Sequence, residues 1–194
     1  DPSHPRYKSL LARGKLEEAA EAGMLAASAL IAHGRGEAFD YLLGEVTTES
    51  AAWATKEAAA RLAAAERAII SFNGNTMALA SDDLLRCAAL SGADVEINIF
   101  YRTPERMLAL MSFLEEAKAR IRNSTPQGIN DGEWGKMVDG VRLLGAAPDG
   151  RIPGLEGPRA NCHSDGMLAA DVLLVPLEDG DRCEALVAMG VDRS

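Results

Sequence analysis

Ala68-Ile69-Ile70-Ser71-Phe72-Asn73-Gly74-Asn75 decides how the rest of this chain is read. Upstream of it, alanine, leucine and glutamate recur at helical spacing. Ala68 to Phe72 is a short apolar run of the kind that fills a buried strand, and Asn73-Gly74-Asn75 supplies turn residues behind it. From there the pattern alternates. A helix capped by Ser81 runs to Gly92, a strand runs from Asp94 to Tyr101, and a helix opens at Thr103 with Glu105 and ends near Arg122. Val141 to Leu144 reads as a third strand, Asp171 to Leu177 as the clearest buried strand, and Arg182 to Met189 as a helix. Asn123 to Gly135 is polar and glycine-bearing, which predicts a loop, and Asp149 to Gly157 is a Pro/Gly-rich turn region. Strands separated by helices of this length imply right-handed crossovers and a parallel sheet covered on both faces. The expected fold class is α/β, a parallel sheet flanked by helices with a helical N-terminal part.

Working outward to the N-terminus, the opening residues carry Pro2 and Pro5 and form an arm before a helix that starts at Lys8 or Ser9 and carries Arg13. Lys15 to Ala32 reads as two consecutive helices interrupted at Gly23. Thr47 to Arg67 is a further helix, with Thr48 or Ser50 as its cap and Trp53, Leu62 and Ala63 on its apolar stripe. Between them lies Ile31 to Glu45, read as a turn followed by a helix from about Glu37 to Leu43. Gly34 and Gly36 flank Arg35, permit backbone angles that side chains forbid, and let a ligand approach the main chain. Arg35 there either binds an anion or forms a surface salt bridge with Glu37 or Asp40. His33 either orients a carboxylate or carries a proton near neutral pH, or is a structural residue at a helix end.

The 194 residues, 47% hydrophobic and 25% charged, suffice for one substantial core, so a single domain is expected over 1–194, mainly helical over 1–67 and alternating over 68–194. A net charge of -9 argues against broad binding to a nucleic-acid backbone. Cys87, Cys162 and Cys183 form no C-x-x-C pair, which argues against a disulfide framework or a zinc site and for a reducing, cytoplasmic setting. No apolar run reaches the ~20 residues of a membrane span, so no membrane partner is expected. Gly34-x-Gly36 lacks the third glycine of the dinucleotide fingerprint and follows a helical stretch, and no P-loop motif is present. Any phosphate must be held by local arrangements.

In parallel sheets ligands bind beyond the carboxyl ends of the strands. That rule selects Asn73-Gly74-Asn75, Tyr101-Arg102 and Glu178-Asp179-Gly180-Asp181. Asn73 and Asn75 suit a ribose or phosphate, or form a plain strand-to-helix turn. Asp179-Gly180-Asp181-Arg182 suits Mg²⁺, sugar hydroxyls or an amine, or is a helix start whose acids favour the dipole. Arg102, Arg106, Arg151 and Arg159 are further anion candidates, each otherwise solvated or ion-paired.

Taken in order, Ser3-His4-Pro5-Arg6-Tyr7, Ile31 to Glu45, Ser71 with Asn73-Gly74-Asn75, Asn98 with Phe100-Tyr101-Arg102, Ile152-Pro153-Gly154-Leu155-Glu156 and Val175 to Arg182 with Glu184 to Val187 resemble the archaeal 4-phosphopantoate:beta-alanine ligases, also called archaeal phosphopantothenate synthetases. The resemblance implies a Rossmann-like α/β nucleotide-binding fold, a cytoplasmic homodimer, and ATP-dependent joining of 4-phosphopantoate and beta-alanine to 4'-phosphopantothenate, with release of AMP and diphosphate through an acyl-adenylate, in coenzyme A biosynthesis. Arg13 and Arg35 match two ATP-binding arginines of the family. Beyond that match, His33, Asn73 and Arg102 are the catalytic candidates. Arg13, Arg35, Gly34, Gly36, Asn75, Asp179, Gly180, Asp181 and Arg182 are the candidates for holding ATP and Mg²⁺, with no dedicated protein metal site. Arg102 or Arg159 is expected on the phosphate of phosphopantoate, and Asp179 or Asp181 on Mg²⁺ or the beta-alanine ammonium. The chain departs from the family after Met189-Gly190, where a loop and a final segment with further ATP contacts are expected, and Asn123 to Asp139 is expected to be a peripheral insertion. The alternative from another class is a non-catalytic module that binds a nucleotide or phosphometabolite; a dehydrogenase is disfavoured by the missing fingerprint.

Overall fold

β1 (Ala68–Phe72) is buried along its whole length, which requires a central place in a sheet covered on both faces. A computed structural model describes residues 2–177 and 180–191 and places it there. β1 lies between β2 (Asp94–Ile97) and β6 (Val172–Leu174), β3 (Leu143–Leu144) lies beyond β2, and all four strands are parallel in the order β3-β2-β1-β6. Ile70 is level with Val95 on one side and Leu174 on the other, and Phe72 with Ile97.

Alternation along the strands divides the sheet's contents between its faces. Ile70, Phe72, Val95 and Ile97 join Leu85, Leu110, Leu114 and Trp134 under a layer made by α4 (Gly74–Ser91), α5 (Pro104–Arg122) and α6 (Asp131–Gly140). The other cluster gathers Ile152, Cys162, Met167 and Leu186 from an antiparallel pair, β4 (Gly150–Arg151) with β5 (Asn161–Cys162), and from α7 (Gly180–Val191). The expected α/β class, with helices flanking a parallel sheet and a helical N-terminal part, is what the chain forms. That part comprises α1 (Tyr7–Glu21), α2 (Ser28–Leu43) and α3 (Glu49–Ala64), and Leu16, Ala19 and Leu25 make a small cluster of their own.

Several boundaries follow the caps. Thr48 accepts the Ala51 N–H, Thr103 accepts the Arg106 N–H with Pro104 behind it, and Gly92 closes α4 at a φ of 73°. Others correct the sequence reading. Gly34-Arg35-Gly36 makes no turn, because α2 runs unbroken through it. Neither glycine has a positive φ; the glycine that stops α2 is Gly44, at a φ of 78°. α4 begins at Gly74, where Asn73 and Thr76 form a reciprocal capping box, and Ser81 follows an internal kink at Ala80 instead of starting the helix. Asn123 to Gly135 is not all loop: Asn130 caps α6 by accepting the Glu133 N–H, and Trp134 on that helix is fully buried, with its indole N–H on the Ile121 carbonyl. The segment expected to be peripheral therefore supplies core. Trp53 stays largely exposed on α3.

Candidate active site

α2 presents Ser28, Ala29, Ala32 and Arg35 to one side of a cleft of about 270 Å³. This spacing is one face of a helix, and its three small residues leave space in front of the arginine. The facing wall is the carboxyl rim of the sheet: Asn73, Gly74 and Asn75 after β1, Asn98 to Tyr101 after β2, and Leu177 after β6. Arg106 from α5 and Arg159 from the short 3-10 turn Pro158–Ala160 complete it. The strand-end rule thus located the cleft.

The rim is fixed by its own polar groups. Asn73 caps α4 through its side-chain oxygen, and its Nδ2 donates to the carbonyls of Pro176 (3.0 Å) and Leu177 (2.9 Å), joining the ends of β1 and β6. Asn98 is 1% exposed, and its Nδ2 donates to the carbonyls of Arg159 (3.0 Å) and Asn161 (3.1 Å). Arg106 spans the two walls, donating to the Gly23 carbonyl before α2 and the Tyr101 carbonyl after β2, both at 3.2 Å. Arg159 reaches Asp181 at 2.8 Å. Gly74 lets Leu25 pack directly on the start of α4, since a Cβ there would meet the end of the Leu25 side chain and force it to shift.

Of the residues singled out from sequence, the fold brings Arg35, Asn73 and Asn75 to the cleft, together with Arg106 and Arg159. Arg35 makes no ion pair among the described residues, while its expected partner Glu37 is engaged by Arg6 and Tyr41. The rest lie elsewhere. Arg13 pairs with Glu17 on the surface of α1. His33 is half-buried on α2, and Gly34 and Gly36 are exposed helical positions. Arg102 is turned into the protein, donating to the Ile97 and Gly145 carbonyls, and burial pulls its pKa below the ordinary arginine value. Gly180 opens α7, Asp181 accepts from Arg159, and Arg182 is buried behind the sheet. Asp179 lies outside the described residues. Asn98 was not singled out as a site residue; its signal was an amide side chain immediately after an apolar strand.

The sheet and its carboxyl rim fall within the span matched by a family model, while the α2 wall of the cleft precedes that span. The model of phosphopantothenate/pantothenate synthetase matches residues 50–193. This chain belongs to that family. It is 46% identical over 188 residues to the 4-phosphopantoate--beta-alanine ligase of Methanospirillum hungatei, an alignment that covers 97% of this chain and 68% of the relative. It is likewise 46% identical to the ligase of that name from Thermococcus onnurineus (97% and 64%) and 43% identical to that from Methanosarcina mazei (96% and 65%). The chain therefore spans about two thirds of the length of these relatives.

Behind the rim, this synthetase-family chain holds a buried polar layer. Ser71 on β1 is level with Glu96 on β2. Arg182 donates from both terminal nitrogens to Ser71 Oγ at 3.2 Å. Glu96 accepts the His163 N–H (2.9 Å) and the Met167 N–H (2.8 Å), and its burial raises the carboxyl pKa above the usual value. These bonds tie α7 and the 163–167 loop to the sheet, and α7 in turn carries Asp181 to Arg159. No helix among the described residues is long and apolar enough to cross a membrane, and no group of three His, Cys, Asp or Glu side chains there is placed to hold a metal ion.

Proposed function

We propose that this chain is an ATP-dependent ligase that joins 4-phosphopantoate and beta-alanine to 4'-phosphopantothenate, releasing AMP and diphosphate, as a step of coenzyme A synthesis. The observation that carries this reading is the convergence of Arg35, Arg106 and Arg159 on one cleft at the carboxyl end of a parallel sheet, where no described lining residue is acidic. Three guanidinium groups with small neighbours suit substrates rich in phosphate and carboxylate.

The chemistry then has two halves. The phosphopantoate carboxylate attacks the α-phosphorus of ATP and diphosphate leaves; the amine attacks the acyl carbon of the resulting acyl-adenylate and AMP leaves. The arginines balance the charge that gathers on the phosphoryl oxygens and hold the reactants in register. Arg35, exposed and unpaired among the described residues, is the residue assigned to the ATP phosphates, and Arg159 the one assigned to the phosphate of phosphopantoate. Mg²⁺ would come with the ATP phosphates, which need at most one or two protein carboxylates beside them. A second copy of the chain is placed against α2 beyond Arg35, where Phe39 and Leu42 are exposed, forming a homodimer in the cytoplasm.

The test is to supply ATP, Mg²⁺, 4-phosphopantoate and beta-alanine and to measure AMP and diphosphate. Arg35→Ala is expected to lower kcat/KM for ATP about 100-fold with the melting temperature unchanged, because Arg35 has no partner among the described residues to lose. Nucleotide binding with neither product would support a non-catalytic module, and unchanged turnover in the folded variant would remove Arg35 from the site.

A further inference from the structure

Two residues that line the cleft carry buried acceptors with nothing to accept. Asn75 Oδ1 and Asn98 Oδ1 are buried and lack any hydrogen-bond partner among the described residues. For Asn98 the amide orientation is fixed, because its Nδ2 already donates to the Arg159 and Asn161 carbonyls, so the atom left over is the oxygen. A buried acceptor without a donor costs stability, about 1–3 kcal/mol in typical cases, and such a cost persists where a ligand relieves it. The two oxygens belong to neighbouring strand ends. Asn98 follows β2, its backbone N–H donates to the Phe72 carbonyl at the end of β1, and Asn75 lies three residues beyond Phe72.

We infer that Asn75 and Asn98 form the subsite for the nucleophilic amine of the amino-acid substrate, each amide oxygen accepting one of its N–H bonds. This inference rests on the ligase reading above. A primary amine brings at least two donors on one atom, whereas a hydroxyl brings one, so two neighbouring empty acceptors match an amine. The neutral acceptors also match the reaction. Among the described residues, the charged groups facing the cleft are Arg35 from α2, Arg106 from α5 and Arg159 from the 3-10 turn, with Asp181 paired to Arg159 and the Tyr101 phenol as the other titratable group. Three cations disfavour an ammonium ion and amide oxygens do not offset them, so the amine is held uncharged with its lone pair free. That lone pair forms the C–N bond, the bond from the acyl carbon to the AMP oxygen breaks with its electrons going to AMP, and the surplus amine proton leaves to solvent. A carboxylate in the same place would bind beta-alanine while keeping it protonated.

Three measurements on one set of variants test this. Asn75→Ala is expected to raise KM for beta-alanine at least tenfold, with KM for ATP and 4-phosphopantoate changed by less than about twofold. The exchange of labelled diphosphate into ATP, run with 4-phosphopantoate and without beta-alanine, is expected at the wild-type rate. Asn75→Asp keeps the size of the side chain and places an acid in the first turn of α4, where the helix dipole offsets part of the cost of its burial; with its fold checked by the melting temperature, it is expected to move the pH profile of kcat/KM for beta-alanine up by about one unit, about tenfold in rate at pH 7. If the variants instead raise KM for ATP or 4-phosphopantoate, or lose exchange, the oxygens serve the nucleotide base or the pantoate hydroxyl and the inference is overturned. A wild-type protein that shows no exchange and releases no AMP overturns the ligase reading and the inference with it, whereas exchange with unaltered beta-alanine kinetics in all the variants overturns the inference alone.

Discussion

The α2 wall of the cleft and the sheet wall opposite are held in place differently. α2 carries no fully buried residue, and it is clipped to the N-terminal segment by Arg6, which pairs with Glu37 at 2.7 Å while Tyr41 donates to the same carboxylate. The sheet rim stands on a core of fully buried side chains, among them Ile70, Phe72, Leu110 and Trp134, with a buried guanidinium and a buried carboxylate on its other face. The comparison teaches a division of labour: the loosely supported wall supplies a cation free to meet a ligand, and the rigid wall supplies neutral groups at fixed positions.

The largest expected effect tests the rigid wall. Trp134→Ala should cost about 3–5 kcal/mol in a urea titration, the usual range for emptying a buried aromatic site. A loss below about 1 kcal/mol would show that α6 does not support the sheet. Next comes Glu96. Because burial raises its folded-state pKa above the ordinary 4.5, its contribution to stability is full below that value and declines as the pH rises through the folded-state pKa. Wild-type stability should therefore fall relative to Glu96→Gln as the pH is raised from about 4.5, and a constant difference in denaturation midpoint would refute the assignment. The smallest effect belongs to the helical wall. Glu37 is held down to about 2, first by the Tyr41 hydroxyl and then by Arg6, so its contribution is full above 4.5 and lost as the pH falls through about 2. An NMR titration of the Glu37 carboxyl should show that low midpoint, and Tyr41→Phe should move it upward; a midpoint near 4.5 in the wild type would mean that the clip does not form in solution.

Much of the sheet was legible. Ala68 to Phe72 and Val172 to Leu174 are apolar runs, and Val95 to Ile97 sets two β-branched residues about Glu96; all are too short for helices, and their spacing by helices forces parallel pairing. α6 was missed because Gly132, Gly135 and Gly140 lower its helix propensity, although Asn130 with Glu133 carried a capping signal. The turn at Gly34-Arg35-Gly36 was misread for the converse reason: each helical glycine costs only about 1 kcal/mol, and the surrounding leucines and alanines outweigh it. Within the cleft, Arg35, Asn73 and Asn75 were legible from charge and strand-end position. Asn98 was not, since one asparagine after a strand looks the same whether its amide is solvated or locked by two carbonyls.

The sequence by itself determined the alternation of sheet strands with helices, the parallel sheet and its carboxyl rim, and the membership of a ligase family, because these depend on local periodicity and on long matched stretches. Only the tertiary structure decided which polar side chains serve a ligand and which serve the fold. Arg35, Arg102 and Arg182 are the same residue type near comparable elements, yet one opens on the cleft, one is spent on two carbonyls, and one is buried against Ser71. The reason is that a polar side chain's role is fixed by which donors and acceptors surround it, and those arrive from segments as far apart as Ser71 and Arg182 in the chain.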